Sequence, residues 1–308
     1  MKTTLTPFVS RAIAGVLILL GTASSFAANA PCDPCNPCGG SKAARGHYAK
    51  LAKLDPNPSA PDLPIDAQTY PNNPASVERL KTAKPEFIRI PLDEIRLPFM
   101  PANSSAQTRA EIDYLLRLQA QRTDQEGERA LYFAPWGYST STKPGDPNHE
   151  AYQANLFYVG RSIGTWFNAK SLPLTAALWH RMWRDASWHV WALKFKYSRI
   201  RPNAIDPAIK NLQETPWAAF PSGHSSFAHI LAHLYGELAP EFSDVFLKDA
   251  HDIGHSREII GVHFPSDTES GRVFARQFVD RLLANPEFRA EFEKVREEWK
   301  RVRAASPD

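Results

Sequence analysis

The chain has 308 residues, of which 43% are hydrophobic and 22% charged. That is globular composition, long enough to bury a substantial core. Its formal net charge is +3, and Lys2 and Arg11 supply two of those positives, so charge marks no nucleic-acid or anionic-membrane partner.

Residues 1–30, MKTTLTPFVSRAIAGVLILLGTASSFAANA, have a basic start, an apolar run from Ala12 to Gly21 and then small residues. This is the layout of a secretory signal peptide. The apolar run is too short for a bilayer, which needs about 20 residues. Cleavage is expected between Ala27 and Pro31, with the bacterial periplasm or the cell exterior as destination and no membrane span in the mature chain.

All three cysteines, Cys32, Cys35 and Cys38, fall in PCDPCNPCGG. With none beyond Cys38, disulfides do not staple the folded body. Thirteen of the 26 prolines lie between Pro31 and Pro101. Residues 31–100 therefore read as a Cys/Pro-rich linker, or an extended arm wrapped on the body, ahead of a domain over 101–308.

Beyond Pro101 the apolar spacing becomes helical. SSAQTRAEIDYLLRLQAQ opens with capping serines and places Ile112, Leu115, Leu116 and Leu118 near one face. PWGYSTSTKPGDPNH is a loop. The spacing of Leu156, Val159, Ile163 and Trp166 predicts a helix over residues 150–170, and Pro173 starts another carrying Leu178, Met182, Ala186, Val190 and Leu193. Further helices are predicted from Ser222 to Leu238, Val245 to Ile260 and Val273 to Leu283, before a charged tail, EFRAEFEKVREEWKRVR. No comparable stretch alternates with period two. The expected fold class is all-α, a helical bundle with its active site at helix ends.

Three strings carry chemistry: KFKYSRIRP, PSGH and SREIIGVHFPSD. Singly, each has a structural explanation in helix capping, helix dipoles or a surface ion pair. Together they supply permanent cations in Lys194, Arg201 and Arg257, and a hydroxyl in Ser222. Gly223 adds helix-start amides that favour anions. His224 and His263 exchange protons near neutrality, and Asp267, four residues after His263, suits an imidazole-orienting role. Cations, helix-start amides and an oriented imidazole describe a pocket for a tetrahedral oxyanion.

The pattern K-x6-RP, PSGH, SR-x5-H-x3-D resembles that of the phosphatidic acid phosphatase type 2 superfamily at all its fixed positions. Its closer likeness is to the bacterial class A non-specific acid phosphatases, distant kin of the vanadium haloperoxidases. The likeness runs from about Trp179 to Trp299. Ser225 stands where threonine is common and Phe264 where tryptophan is common.

This resemblance implies a soluble exported acid phosphatase, a phosphoric monoester hydrolase acting on small phosphomonoesters. His263 would be the nucleophile that becomes phosphohistidine, Asp267 would fix its tautomer, and His224 would be the acid and base. Lys194, Arg201, Ser222, Gly223 and Arg257 would bind phosphate. It implies no metal or other cofactor, inhibition by vanadate as a phosphate mimic, an acid optimum and a possible homodimer. The rival readings are a vanadium-dependent haloperoxidase using the same pocket, phosphotransfer to alcohol acceptors, and an interaction or metal-handling role for the cysteines. The i, i+4 pairs His229/His233 and His251/His255 lack a third metal ligand, and Trp179, Trp183, Trp188 and Trp191 read mainly as core and rim.

Overall fold

The computed structural model describes residues 48–133 and 144–306. The expected leader, the three cysteines and part of the PWGYSTSTKPGDPNH loop lie outside the described residues. The elements are α1 (Pro74–Thr82), α2 (Ala106–Gln121), α3 (Asp124–Tyr132), α4 (His149–Leu156), α5 (Pro173–Tyr197) and α6 (Pro202–Ile205). They continue with α7 (Gly223–Leu238), a 3₁₀ turn at Pro240–Phe242, α8 (Ser243–Ile259), α9 (Pro265–Ala284) and α10 (Pro286–Ala305). No strand occurs among the described residues, as the expected helical bundle requires.

Helix α7 forms the centre. Twelve of its 16 residues are buried, the polar His224, Ser225, Ser226 and His229 among them, so other helices enclose it nearly all round. Helices α8 and α9 flank it, and α5 packs on it as well. The approach is close because small residues meet at the crossings. A Cβ added at Gly271 of α9 would lie 2.6 Å from the Ser222 carbonyl oxygen and 2.9 Å from the Ser226 nitrogen. One added at Gly254 of α8 would lie 2.9 Å from Thr268 Cγ2.

The charged stretch expected as a tail is helix α10. Its Phe288, Phe292, Val295 and Trp299 recur every three or four residues and are buried. Glu298, 1% exposed, accepts hydrogen bonds from the Leu174 N–H (2.7 Å), the Thr175 N–H (2.9 Å) and the Thr175 hydroxyl (2.7 Å). A carboxylate from one helix thus satisfies the open N–H groups at the start of α5, which has no side-chain cap of its own.

The helix predicted over residues 150–170 stops at Leu156. Gly160 (φ 93°) and Gly164 (φ 156°) take conformations that a continuing helix does not allow. At Gly160 there is no room for a side chain, since a Cβ would come within 2.4 Å of the Phe246 ring. Helices α1 and α3 are additional. The second of these starts with a capping box in which Thr123 and Glu126 satisfy each other's backbone N–H groups.

The described part of the proline-rich segment lies on the bundle. Asp185 on α5, 1% exposed, accepts the N–H groups of Glu86 (2.7 Å), Phe87 (2.7 Å) and Ile88 (2.8 Å). The Ile90 N–H donates to His189 Nε2 at 2.8 Å, and Phe87, Ile90 and Ile95 enter the main core.

Candidate active site

Helix α5 places Lys194 in its last turn and ends at Tyr197, after which Ser198 adopts the left-handed conformation (φ 47°). Pro202 disfavours helix at the residue before it, and Arg201 is accordingly extended (φ −81°, ψ 159°). Lys194 Nζ donates to the carbonyls of Ala218 (2.8 Å), Ala219 (3.1 Å) and Pro221 (2.7 Å). Arg201 donates to the carbonyls of Trp217 (2.9 Å), Val262 (2.6 Å) and Ala218 (3.1 Å). The two cations therefore shape the turn that leads into PSGH.

The Phe220–Pro221 peptide bond is cis. Ser222 is the N-cap of α7, and its N–H donates to the Asp267 carbonyl at 2.9 Å, which ties the second string to the third. Gly223 and His224 are the first two residues of the helix. His224 Nε2 donates to the Phe133 carbonyl at 2.8 Å, so this nitrogen carries the proton.

His263 lies in the link between α8 and α9. Its Nδ1–H donates to Asp267 Oδ2 (3.1 Å), and its Nε2 faces an Arg201 guanidinium nitrogen at 3.2 Å. Asp267 Oδ2 also accepts the Phe264 N–H at 2.9 Å. Arg257 lies in the last turn of α8, where its guanidinium donates to Ser256 Oγ (3.1 Å), Gln213 Oε1 (3.1 Å) and the Ala130 carbonyl. The structure brings together all eight residues expected from the sequence. Their ionisable and hydroxyl side chains belong to residues 4% exposed or less.

Burial and charge set the protonation of the centre. Burial first, and then Arg201, push His263 well below the usual histidine value despite the Asp267 partner. Burial and Arg257 push His224 down in the same way, and burial and Arg201 lower Lys194. Burial alone would raise Asp267, but Arg199, His263 and the Phe264 N–H together hold it well below the usual carboxylate range. Burial is the main cause of each depression, and the cationic neighbours add a positive bias that an arriving anion opposes.

Two groups central to this network escape the sequence reading. Arg199 donates to Asp267 Oδ1 (2.7 Å) and Ser266 Oγ (2.7 Å), and lies 3.9 Å over the Phe264 ring. Glu111 of α2 contacts Arg199 at 3.4 Å and accepts from the Ser266 N–H (3.1 Å) and hydroxyl (2.8 Å). Arg199 had a local signal. In an extended link, residues i and i+2 face the same side, so the R-x-R of RIRP sets one guanidinium at each end of the His263–Asp267 pair. Glu111 had none, because its partners are remote in sequence.

Other sequence candidates fall elsewhere. His229 Nδ1 donates to the Ser225 carbonyl (2.8 Å) and His255 Nδ1 pairs with Glu258 (2.9 Å). Among the described residues, no three of His, Cys, Asp and Glu converge as a metal-ligand set. Trp179 and Trp183 are core residues, Trp188 stacks under Arg89 at 3.6 Å, and Trp191 packs on Trp217. A cavity of about 180 Å³ opens beside the centre, lined among others by Arg122, Glu126, Ala130, Phe133, His255 and Ser256.

Helix ends converging on a cation-rich, Asp-backed histidine define an all-helical class of protein with its polar centre buried in the bundle. The family model of the PAP2 superfamily matches residues 186–279. The chain is 33% identical over 121 residues to a non-specific acid phosphatase of Providencia stuartii, a match covering 36% of this chain and 46% of that one. To a non-specific acid phosphatase of Salmonella typhimurium it is 33% identical over 104 residues, covering 34% and 39%. It spans about half the length, or less, of these two relatives. The fold is similar to that of a bacterial vanadium-dependent iodoperoxidase, with a TM-score of 0.51 and 16% identity over 78% of this chain and 64% of that one. Among the described residues no helix is long and apolar enough to cross a membrane.

Proposed function

We propose that this protein is a phosphoric monoester hydrolase of the acid phosphatase type, working through a phosphohistidine on His263. The observation that carries this reading is the setting of His263: Nδ1 is held by Asp267, and Nε2 is turned toward Arg201 within a buried ring of cations. The names of the relatives point the same way.

In this mechanism the Nε2 lone pair attacks phosphorus while the ester P–O bond breaks. The His224 proton passes to the leaving alcohol oxygen. Lys194, Arg201, Arg257, Ser222 and the Gly223 amide exchange part of their present bonding for the phosphoryl oxygens, and each such donor is worth about 10²–10³ in rate. His224 then takes a proton from water, whose oxygen attacks phosphorus as the P–N bond breaks. Phosphate leaves and the electron pair returns to Nε2. Asp267 stays ionised throughout and stabilises the imidazolium character of His263. Residues 1–30 are read as an export leader and 101–308 as the catalytic domain, acting in the periplasm or outside the cell.

The test is a phosphomonoester panel across pH, with EDTA and with vanadate, beside His263→Ala. Activity on the acid side, indifference to EDTA and inhibition by vanadate are expected. Quenching in alkali should trap an acid-labile phosphoprotein in the parent enzyme and none in the variant. Full activity in His263→Ala overturns the mechanism.

A further inference from the structure

Asp267 has two oxygens, and only one of them serves His263. Oδ2 takes the His263 Nδ1–H and the Phe264 N–H, while Oδ1 takes a 2.7 Å bond from Arg199. The Arg199 and Asp267 side chains are fully inaccessible to solvent, as is that of Glu111. A carboxylate in such a place keeps its charge and its orientation only if a fixed cation holds its far side. Arg199 is itself fixed on three sides. Phe264 lies under its plane at 3.9 Å, Ser266 Oγ accepts a second 2.7 Å bond, and Glu111 balances its remaining edge at 3.4 Å. Ser266 bridges the two acidic partners, since its hydroxyl also donates to Glu111.

We propose that Arg199, backed by Glu111 and stacked on Phe264, is a positioning residue for the nucleophile. It fixes the Asp267 carboxylate, which in turn fixes the ring and tautomer of His263. Neither Arg199 nor Glu111 contacts the imidazole, so their effect on reaction passes through Asp267 alone. This inference rests on the proposed role of His263 but is tested apart from it.

The groups that set the charge around this unit come from every element packed on it. Tyr48 lies ahead of α1, Glu111 comes from α2, Arg201 from the link after α5, His224 from α7, Arg257 from α8 and Asp267 from α9, with Lys194 acting on His263 from α5. Removing the Arg199 charge lets Asp267 bind a proton at higher pH, and a protonated Asp267 no longer holds the His263 tautomer. The acid limb of kcat/KM must therefore move up. Burial raises Glu111 to about 7, so in that limb it is already mostly protonated and Glu111→Gln should leave the limb in place.

The experiment uses the full chain with ¹⁵N-labelled histidine, in the parent and in Arg199→Met, Arg199→Lys and Glu111→Gln, with His263→Gln to assign the resonances. The parent His263 should show protonated Nδ1 and unprotonated Nε2 across pH 5–8, read without any substrate. In Arg199→Met a mixture of tautomers is expected, with kcat down about 10–100-fold and KM little changed, as for other outer partners of a reacting histidine. Arg199→Lys keeps the charge and should retain most of the Nδ1–H tautomer. A folded Arg199→Met with the parent tautomer and acid limb overturns the proposal. Should that variant not fold, the other two decide. Glu111→Gln with an acid limb shifted upward, or Arg199→Lys with tautomers fully scrambled, is likewise against it. Because the tautomer is read by NMR, the role of Arg199 is decided even in a protein with no phosphatase activity.

Discussion

At the scale of single residues, the proposed mechanism sets an uneven task for two similar imidazoles. His263 must be neutral to attack, and burial with Arg201 keeps it so well into acid. His224 must carry an extra proton, yet burial with Arg257 disfavours that form in the free protein. A phosphate ester brings negative charge beside Arg257 and raises His224 again. The basic limb of kcat, which reports the complex, is thus expected at higher pH than that of kcat/KM, which reports the free enzyme. Superimposable limbs in the two pH profiles would contradict this. Asp267→Asn should cost up to about 10⁴ in kcat through loss of the held tautomer, with the fold retained by circular dichroism.

The same scale explains what the sequence made legible. Lys194, Arg201, His224, Arg257, His263 and Asp267 were readable because helix starts and ends fix short intervals rigidly. Phe264, noted only as a departure, is the surface on which Arg199 lies. Its partner Glu111 was illegible, since only the packing of α2 brings it to Ser266.

Between elements, the site depends on how close α7 and α9 come. Gly271 of α9 sits against Ser222 and Ser226 without space for a methyl group. Gly271→Ala must push the PSGH turn away from Asp267, whose carbonyl holds the Ser222 N–H. We expect a loss of about 1–3 kcal/mol in stability and a drop in kcat larger than that of a comparable substitution on the outer face of α9. Denaturant melts and steady-state kinetics on both variants check this. The link between α5 and α10 is polar instead. Glu298→Ala strips three hydrogen bonds from the start of α5 and should cost about 1–3 kcal/mol, with Glu298→Gln intermediate in the same melts. Periodicity identified α5 and α7 well, because each buries a long apolar surface. It failed at residues 157–170, where apolar spacing continues but two glycines turn the chain. The docking of α10 was hidden by its charge, most of which, Glu298 apart, lies away from its four aromatic and aliphatic anchors.

For the molecule as a whole, the buried histidines make stability depend on pH. His189 and His233 are pushed down to about 4 and His229 to about 3, each chiefly by burial. Unfolded, these rings take a proton near 6.5. Their contribution is complete above that value and is lost as pH falls toward 4. Glu111 runs the other way. Burial raises it to about 7, so it costs stability as pH rises from its unfolded value toward 7. Three histidines outweigh one carboxyl, and the melting temperature should fall between pH 6.5 and 4. A melting temperature that rises over that range would refute the assignment. His189 also holds the arm through the Ile90 N–H, so protection of the Ile90 amide from hydrogen exchange should decline along the same pH course.

The carbonyls of Ala130 and Phe133 already receive hydrogen bonds from Arg257 and His224. Any oxyanion that claims those donors takes them from the end of α3 and does not take them from water. Affinity at this centre is therefore an exchange between two sets of oxygens on the same protein donors. What a ligand gains is the difference between its own charge-assisted bonds and those the backbone gives up. That difference grows with the charge of the entering oxygen, so neutral polar molecules gain little there while a phosphate dianion gains much. Discrimination against uncharged look-alikes is thus built into the resting bonds, before any contact with the leaving group is made.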